Sequence, residues 1–193
     1  AGTHPNRDPM NFADLSPDTL RWIYRMAAVA LLMFWMVGAY NRLMRHRNAL
    51  ATAWGQIDEL LTRRVAALEP LIAQLHEPMA AEANTLLALQ QALERQQLAA
   101  RAVRAKPSAA AALQAWVVVE GELASPMARL AALVEQHPEL AGSEGVKPLR
   151  DQLAELAPRL VYARQAFNDA AEAYNVAVEE FPTRLLMPLF GFR

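Results

Sequence analysis

The chain has 193 residues, 54% of them hydrophobic and 20% charged, with 19 basic against 20 acidic side chains. The apolar share exceeds the roughly 45–50% of ordinary globular domains, which points to a water-soluble part joined to a greasy one. A net charge of −1 leaves no basic field for nucleic acid, and the absence of cysteine excludes disulfides, a thiol nucleophile, thiolate metal sites and a lipoprotein anchor.

Residues 1–16 read as an N-terminal tail. Ser16-Pro17-Asp18 then carries a helix start, with Ser16 as N-cap, Pro17 in the first helical position and an acid in the first turn. Met26 to Tyr40 contains no charge, and the span extends back to Trp22 with Arg25 near enough to its end to snorkel. Trp22, Tyr24 and Tyr40 suit the two interfaces. Residues 17–41 are therefore expected to form a single transmembrane anchor. A cleavable signal segment is the rival reading, with Val37-Gly38-Ala39 as a loose cleavage site. A helical pattern that continues unbroken past this point argues against it. Arg42, Arg45 and Arg47 follow the span, while Arg7, Arg21 and Arg25 precede it. The direct count under the positive-inside rule is a near tie; with Ala1–Pro9 taken as non-native, Arg7 drops out, and the expectation leans toward the cytoplasmic membrane with the bulk of the chain in the cytoplasm.

Beyond the anchor, apolar residues recur every three or four positions through Leu50, Trp54, Ile57, Leu61, Val65, Leu68, Ile72 and Leu75, the mark of a helix with one buried stripe. No breaker separates this helix from the anchor, so the two are expected to be continuous, with a bend at Pro70. Glu77-Pro78 ends it. A second helix is predicted from Met79 to Ala105, and a third from about Ala109 to Gln136 with Leu113, Trp116, Val117, Leu123, Met127, Leu130 and Val134 inward. Residues 137–145 read as a loop with Ser143 as a cap. The fourth helix follows the seam Leu149, Leu153, Leu156, Leu160, Ala163, Phe167, Ala170, Tyr174, Val178 and Phe181, close to a 3.5-residue period. The expected fold is all-α: an N-terminal transmembrane helix continuing into an antiparallel four-helix bundle over residues 42–181. An apolar tail, residues 182–193, closes the chain.

Two segments carry a family resemblance. Tyr40 to Arg64, "YNRLMRHRNALATAWGQIDELLTRR", and Arg159 to Phe192, "RLVYARQAFNDAAEAYNVAVEEFPTRLLMPLFGF", resemble the opening and closing motifs of the LemA family. The helices between resemble it only in character. The resemblance implies one N-terminal membrane helix and a helical bundle usually placed in the cytoplasm, and implies no established molecular activity.

Candidate site residues fall into two groups. Asn41 and Asn48, and likewise Asn168 and Asn175, are seven apart and share a helix face, so they are expected to meet between the first and last helices. Fixing the register of the bundle is the plainer role for them. Asp58 is expected to pair with Arg164, with Gln56, Arg63 and Arg64 near by. Arg42, Arg45 and Arg47 would meet anionic headgroups at about 1 kcal/mol each. Leu185, Leu186, Leu189, Phe190 and Phe192 in the tail are expected near the membrane; a groove on the bundle and a neighbouring copy are the other docking surfaces.

His4, His46, His76 and His137 form no Glu-x-x-His or His-x-x-x-His pair, and no phosphate loop or nucleophile–base spacing occurs. The expectation is a non-catalytic protein without cofactor or metal: a scaffold or adaptor working through an unidentified protein partner or a second copy of itself. A lipid-binding or lipid-remodelling protein, acting through the Arg cluster and the tail, is the alternative.

Overall fold

A computed structural model describes residues 16–179. Of these, 91% are helical and none lies in a strand. The elements are α1 (Pro17–His76), a 3₁₀ turn (Ala80–Glu82), α2 (Ala83–Ala105), α3 (Ala110–Glu135), the single turn α4 (Pro138–Ala141) and α5 (Lys147–Glu179).

α1 starts where the capping chemistry places it. The Ser16 hydroxyl accepts the Thr19 N–H at 3.3 Å, and Asp18 pairs with Arg21 across the first turn. From there the helix runs 60 residues, about 90 Å at ~1.5 Å per residue. Its N-terminal part is long and apolar enough to cross a membrane, and none of that stretch is buried by the rest of the protein. Leu31, Leu32, Met33 and Phe34 all point outward. Apolar side chains exposed in such a row make this stretch a candidate membrane span.

The same helix enters the bundle at Leu43 and Leu50, the first of its buried residues. It passes Pro70 without interruption, although that ring removes one hydrogen-bond donor. α5 lies antiparallel along it: Trp54 near the start of the bundle meets Phe167 near the end of α5. α2 returns along another face, with Arg104 on Asp58 and Gln97 on Glu69. α3 reverses again on α2 through Arg95–Glu122 and Arg129–Glu82.

The core divides in two. Nearer the span, Leu50, Trp54, Ile57 and Leu61 pack with Val103, Trp116, Leu160 and Phe167. Farther away, Leu68, Leu71 and Leu75 pack with Leu86, Leu89, Leu93, Leu123 and Val134.

Three details depart from the sequence expectation. The second helix begins at Ala83 after the 3₁₀ turn, not at Met79. The segment expected as loop contains α4, after which the Ser143 hydroxyl accepts the Val146 N–H and so caps the approach to α5. Val117 is 61% exposed instead of inward. The reason is architectural: α1 packs on α5, α1 on α2 and α2 on α3, while α3 and α5 share no comparable seam. The bundle is open along one side, and Val117 stands at that opening.

Candidate functional site: an open apolar seam over a buried ion triad

The gap between α3 and α5 forms a trough of about 840 Å³, within the ~300–1,000 Å³ range of ligand pockets. Its walls are apolar, with Leu113, Val117, Leu123 and Met127 from α3 and Leu153, Leu156, Leu160 and Phe167 from α5. Ile57 and Arg64 of α1 contribute to its floor.

Charge is concentrated at one level of this trough. Arg64 occupies a position of the buried α1 stripe, between Leu61 and Leu68, and is only 6% exposed. Its guanidinium grips Glu120 of α3 in the bidentate geometry, Nη1 to Oε1 and Nη2 to Oε2, each at 2.7 Å. Arg164 of α5 donates to the same carboxylate, Nη2 to Oε1 at 2.5 Å. Three helices are thus tied through one acid. Two guanidiniums against one carboxylate leave a net charge of +1 beneath an apolar trough.

Aromatic rings hold this cluster. Trp54 packs edge-on against Trp116 at 5.1 Å and against Phe167 at 5.8 Å. Such pairs are worth about 0.5–1.5 kcal/mol beyond the area they bury. The Arg164 guanidinium also lies over the Trp116 ring at 5.6 Å, where the ring face attracts a cation. The Nε atoms of Arg64 and Arg164 and the indole nitrogens of Trp54 and Trp116 are buried and find no partner among the described residues.

The sequence-predicted residues fall differently. Asp58 does not pair with Arg164. It accepts from Arg104 at 2.7 Å, because α2 covers that side of α1. This hydrogen bond and the attraction of the carboxylate raise the Arg104 pKa further, so Arg104 stays charged throughout the physiological range. Asn41, Asn48, Asn168 and Asn175 do not meet between helices; all four are exposed. Seven residues make only about two turns, and the buried α5 face uses Leu160, Ala163 and Phe167; Asn168, one step further, is rotated by ~100° toward the trough. Gln56 is exposed, and Arg63 pairs locally with Glu59. Arg42, Arg45 and Arg47 are exposed within two turns of the span. The tail residues Leu185, Leu186, Leu189, Phe190 and Phe192 lie outside the described residues.

Glu120 was the residue the pattern reading missed. Its signal was present: an acid four positions after Trp116 and three before Leu123, on the buried stripe of the largely apolar run "AWVVVEGELA", whereas the run's other acid, Glu122, falls off that spacing. Arg64 carried the matching signal, a cation spaced as a core position. Among the described residues, no group of three His, Asp or Glu side chains converges in a way that would hold a metal ion.

A long apolar helix leading into an antiparallel bundle with one open seam defines a membrane-associated helical-bundle protein. The model of the LemA family matches residues 53–193, most of the chain, and the protein belongs to that family. It is similar to "Magnetosome protein MamQ" of Magnetospirillum gryphiswaldense, 30% identical over 80 residues, which is 42% of this chain and 29% of the relative. "Magnetosome protein MamQ 1" and "Magnetosome protein MamQ 2" of Paramagnetospirillum magneticum are each 29% identical over 80 residues, with the same coverage. The matched part is thus under a third of the length of these curated relatives.

Proposed function

We propose that this chain is a membrane-anchored, non-catalytic adaptor that offers the α3–α5 trough to an apolar segment of a partner protein. The observation that carries the reading is the open seam itself. Closing a four-helix bundle would bury Val117 and Val161, yet they stay 61% and 64% exposed beside a trough of about 840 Å³. Exposed apolar surface of this kind, with a few placed charges, marks a docking site. The +1 charge at its floor favours a segment that carries a carboxylate among its apolar side chains.

The anchor fits the cytoplasmic membrane, with Arg42, Arg45 and Arg47 retaining the bundle on the cytoplasmic side. The lipid-remodelling alternative rests on those three exposed arginines and on a tail outside the described residues, and the trough is the more specific feature.

The test is site-specific photocrosslinking of the full-length protein in its native membrane, from position 161 in the trough and from position 98 on the outer face of α2. Leu98 is 63% exposed and serves as the control. The expected result is a protein adduct specific to position 161 that is lost when Arg164→Glu reverses the charge. Equal labelling from both positions, or labelling indifferent to Arg164→Glu, refutes the adaptor reading.

A further inference from the structure

We infer that the trough binds a free single-chain carboxylate, a fatty acid, with its head at Arg164 and its chain along the half of the trough farther from the candidate span. Such an occupant excludes the partner segment from the same site. The exclusion rests on the reading of the trough as a docking site, whereas the binding stands on the geometry alone.

The head site is a cluster left short of one negative charge. Arg64 spends both terminal nitrogens on Glu120, while Arg164 reaches that carboxylate through Nη2 only. The Arg164 side chain is 39% exposed and lines the trough, which leaves its guanidinium open to an anion entering there. The Nε atoms of both arginines are buried without a partner among the described residues. Buried donors in that condition cost free energy that a second acceptor recovers. A guanidinium grips a carboxylate through parallel bonds, and one carboxylate brings the single charge that neutralises the cluster. Glu120 repels it, but two guanidiniums outweigh one acid.

The chain site follows from the walls. Toward the candidate span the trough runs from Arg164 to Ala171, about 10 Å at ~1.5 Å per residue, and the polar Asn168 interrupts it. Away from the span it runs from Arg164 to Leu153, about 16 Å, between Leu123 and Met127 of α3 and Leu156 and Leu160 of α5. A smaller cavity of about 320 Å³ shares Met127 and Leu153 with it and prolongs it toward Leu130 and Val134. An acyl chain spans half of a ~30 Å bilayer core, about 15 Å. The longer arm takes such a chain and the shorter one does not.

Height above the membrane selects the kind of amphiphile. From Tyr40, at the end of the charge-free run, to Arg64 the helix rises about 36 Å at ~1.5 Å per residue. The headgroup layer outside the hydrocarbon core is only ~5–8 Å deep, so a lipid seated in the bilayer does not reach the triad. The ligand has to leave the membrane, and a single acyl chain is held there only marginally and reversibly. That requirement disfavours a two-chain phospholipid. Charge disfavours a second copy, whose own trough carries the same +1.

The test is photolabelling of the full-length protein in lipid nanodiscs with hexadecanoate bearing a mid-chain diazirine. The corresponding alcohol and a two-chain phosphatidate bearing the same group are the comparisons, and adducts are located by mass spectrometry of the peptides. The expected result is saturable hexadecanoate labelling of the α3 and α5 segments around Met127 and Leu153, about tenfold or more above either comparison. Arg164→Gln should reduce it by a similar factor. Ala157→Trp, which fills the chain path, should abolish it. Labelling of the candidate span measures partition into lipid and should change in neither variant.

Trough labelling that is equal for acid and alcohol, or indifferent to Arg164→Gln, overturns the inference, because no head site then exists. Equal labelling by the phosphatidate overturns the single-chain assignment, and adducts confined to the span overturn the whole. The acid–alcohol comparison uses the unaltered chain and does not depend on how a variant folds. The adaptor reading is separable. If hexadecanoate misses the trough while position 161 still labels a partner, only the present inference fails. If it labels the trough and no partner adduct ever forms, only the adaptor reading fails. If both form and excess hexadecanoate leaves the partner adduct unchanged, the exclusion is overturned.

Discussion

Replacing Glu120 by Gln tests the triad most directly, because it removes one charge and almost no volume. The carboxylate accepts two bonds from Arg64 at 2.7 Å and one from Arg164 at 2.5 Å. Three charge-assisted bonds at about 1.5–3 kcal/mol each would sum to roughly 5–9 kcal/mol. Part of that sum is offset, because the variant no longer buries a carboxylate. Part of the loss is also softened, because Arg164 is partly exposed and can turn to water, whereas Arg64 at 6% exposure cannot. The net cost is set by one buried, uncompensated guanidinium, about 3–5 kcal/mol. For a chain of this size that lowers Tm by roughly 6–20 °C, at about 2–4 °C per kcal/mol.

The assay is thermal unfolding of the full-length protein in detergent, followed by circular dichroism at two salt concentrations. Screening by salt is weak for a buried pair, so the shift should persist in high salt. The double variant Arg64→Met with Glu120→Leu removes the buried charges together and should return to within about 1 kcal/mol of the parent, or exceed it. A Tm shift below about 2 °C for Glu120→Gln, or strict additivity of the Arg64 and Glu120 single variants, would refute a buried, coupled triad.

Gln96 gives a prediction of the opposite sign. It is 0% exposed and neither amide atom has a partner among the described residues, so Gln96→Leu should raise stability by about 1–3 kcal/mol in denaturant titration. A loss of stability would mean that the amide is satisfied in solution. Asn168→Ala and Asn175→Ala should each stay within about 0.5 kcal/mol of the parent, because both side chains are exposed. A cost above ~1 kcal/mol for either would restore the register role first expected of them.

Much of this molecule was legible before any tertiary contact was known. Ser16-Pro17-Asp18 marks a helix start, and the charge-free run from Met26 to Tyr40 marks the candidate span. The three-four spacing from Leu50 to Leu75 and the seam from Leu156 to Phe167 mark the buried faces. These features are local: capping and solvation of a helix face depend on residues within a turn or two of each other. The family resemblance across Tyr40–Arg64 and Arg159–Phe192 was legible for the same reason, as contiguous motif.

Pairing across helices was not. The choice of Arg104 as the partner of Asp58, and of Glu120 as the partner of both Arg64 and Arg164, depends on which helix lies on which side of α1. The four asparagines show the limit from the other direction, since a shared face says nothing about whether that face is covered. The open seam belongs to the same class. Val117 has the same apolar character as the buried Val103, and only the separation of α3 from α5 leaves one in a trough and the other in the core. Periodicity names the side of a helix that seeks cover, and the packing of whole helices decides which sides receive it.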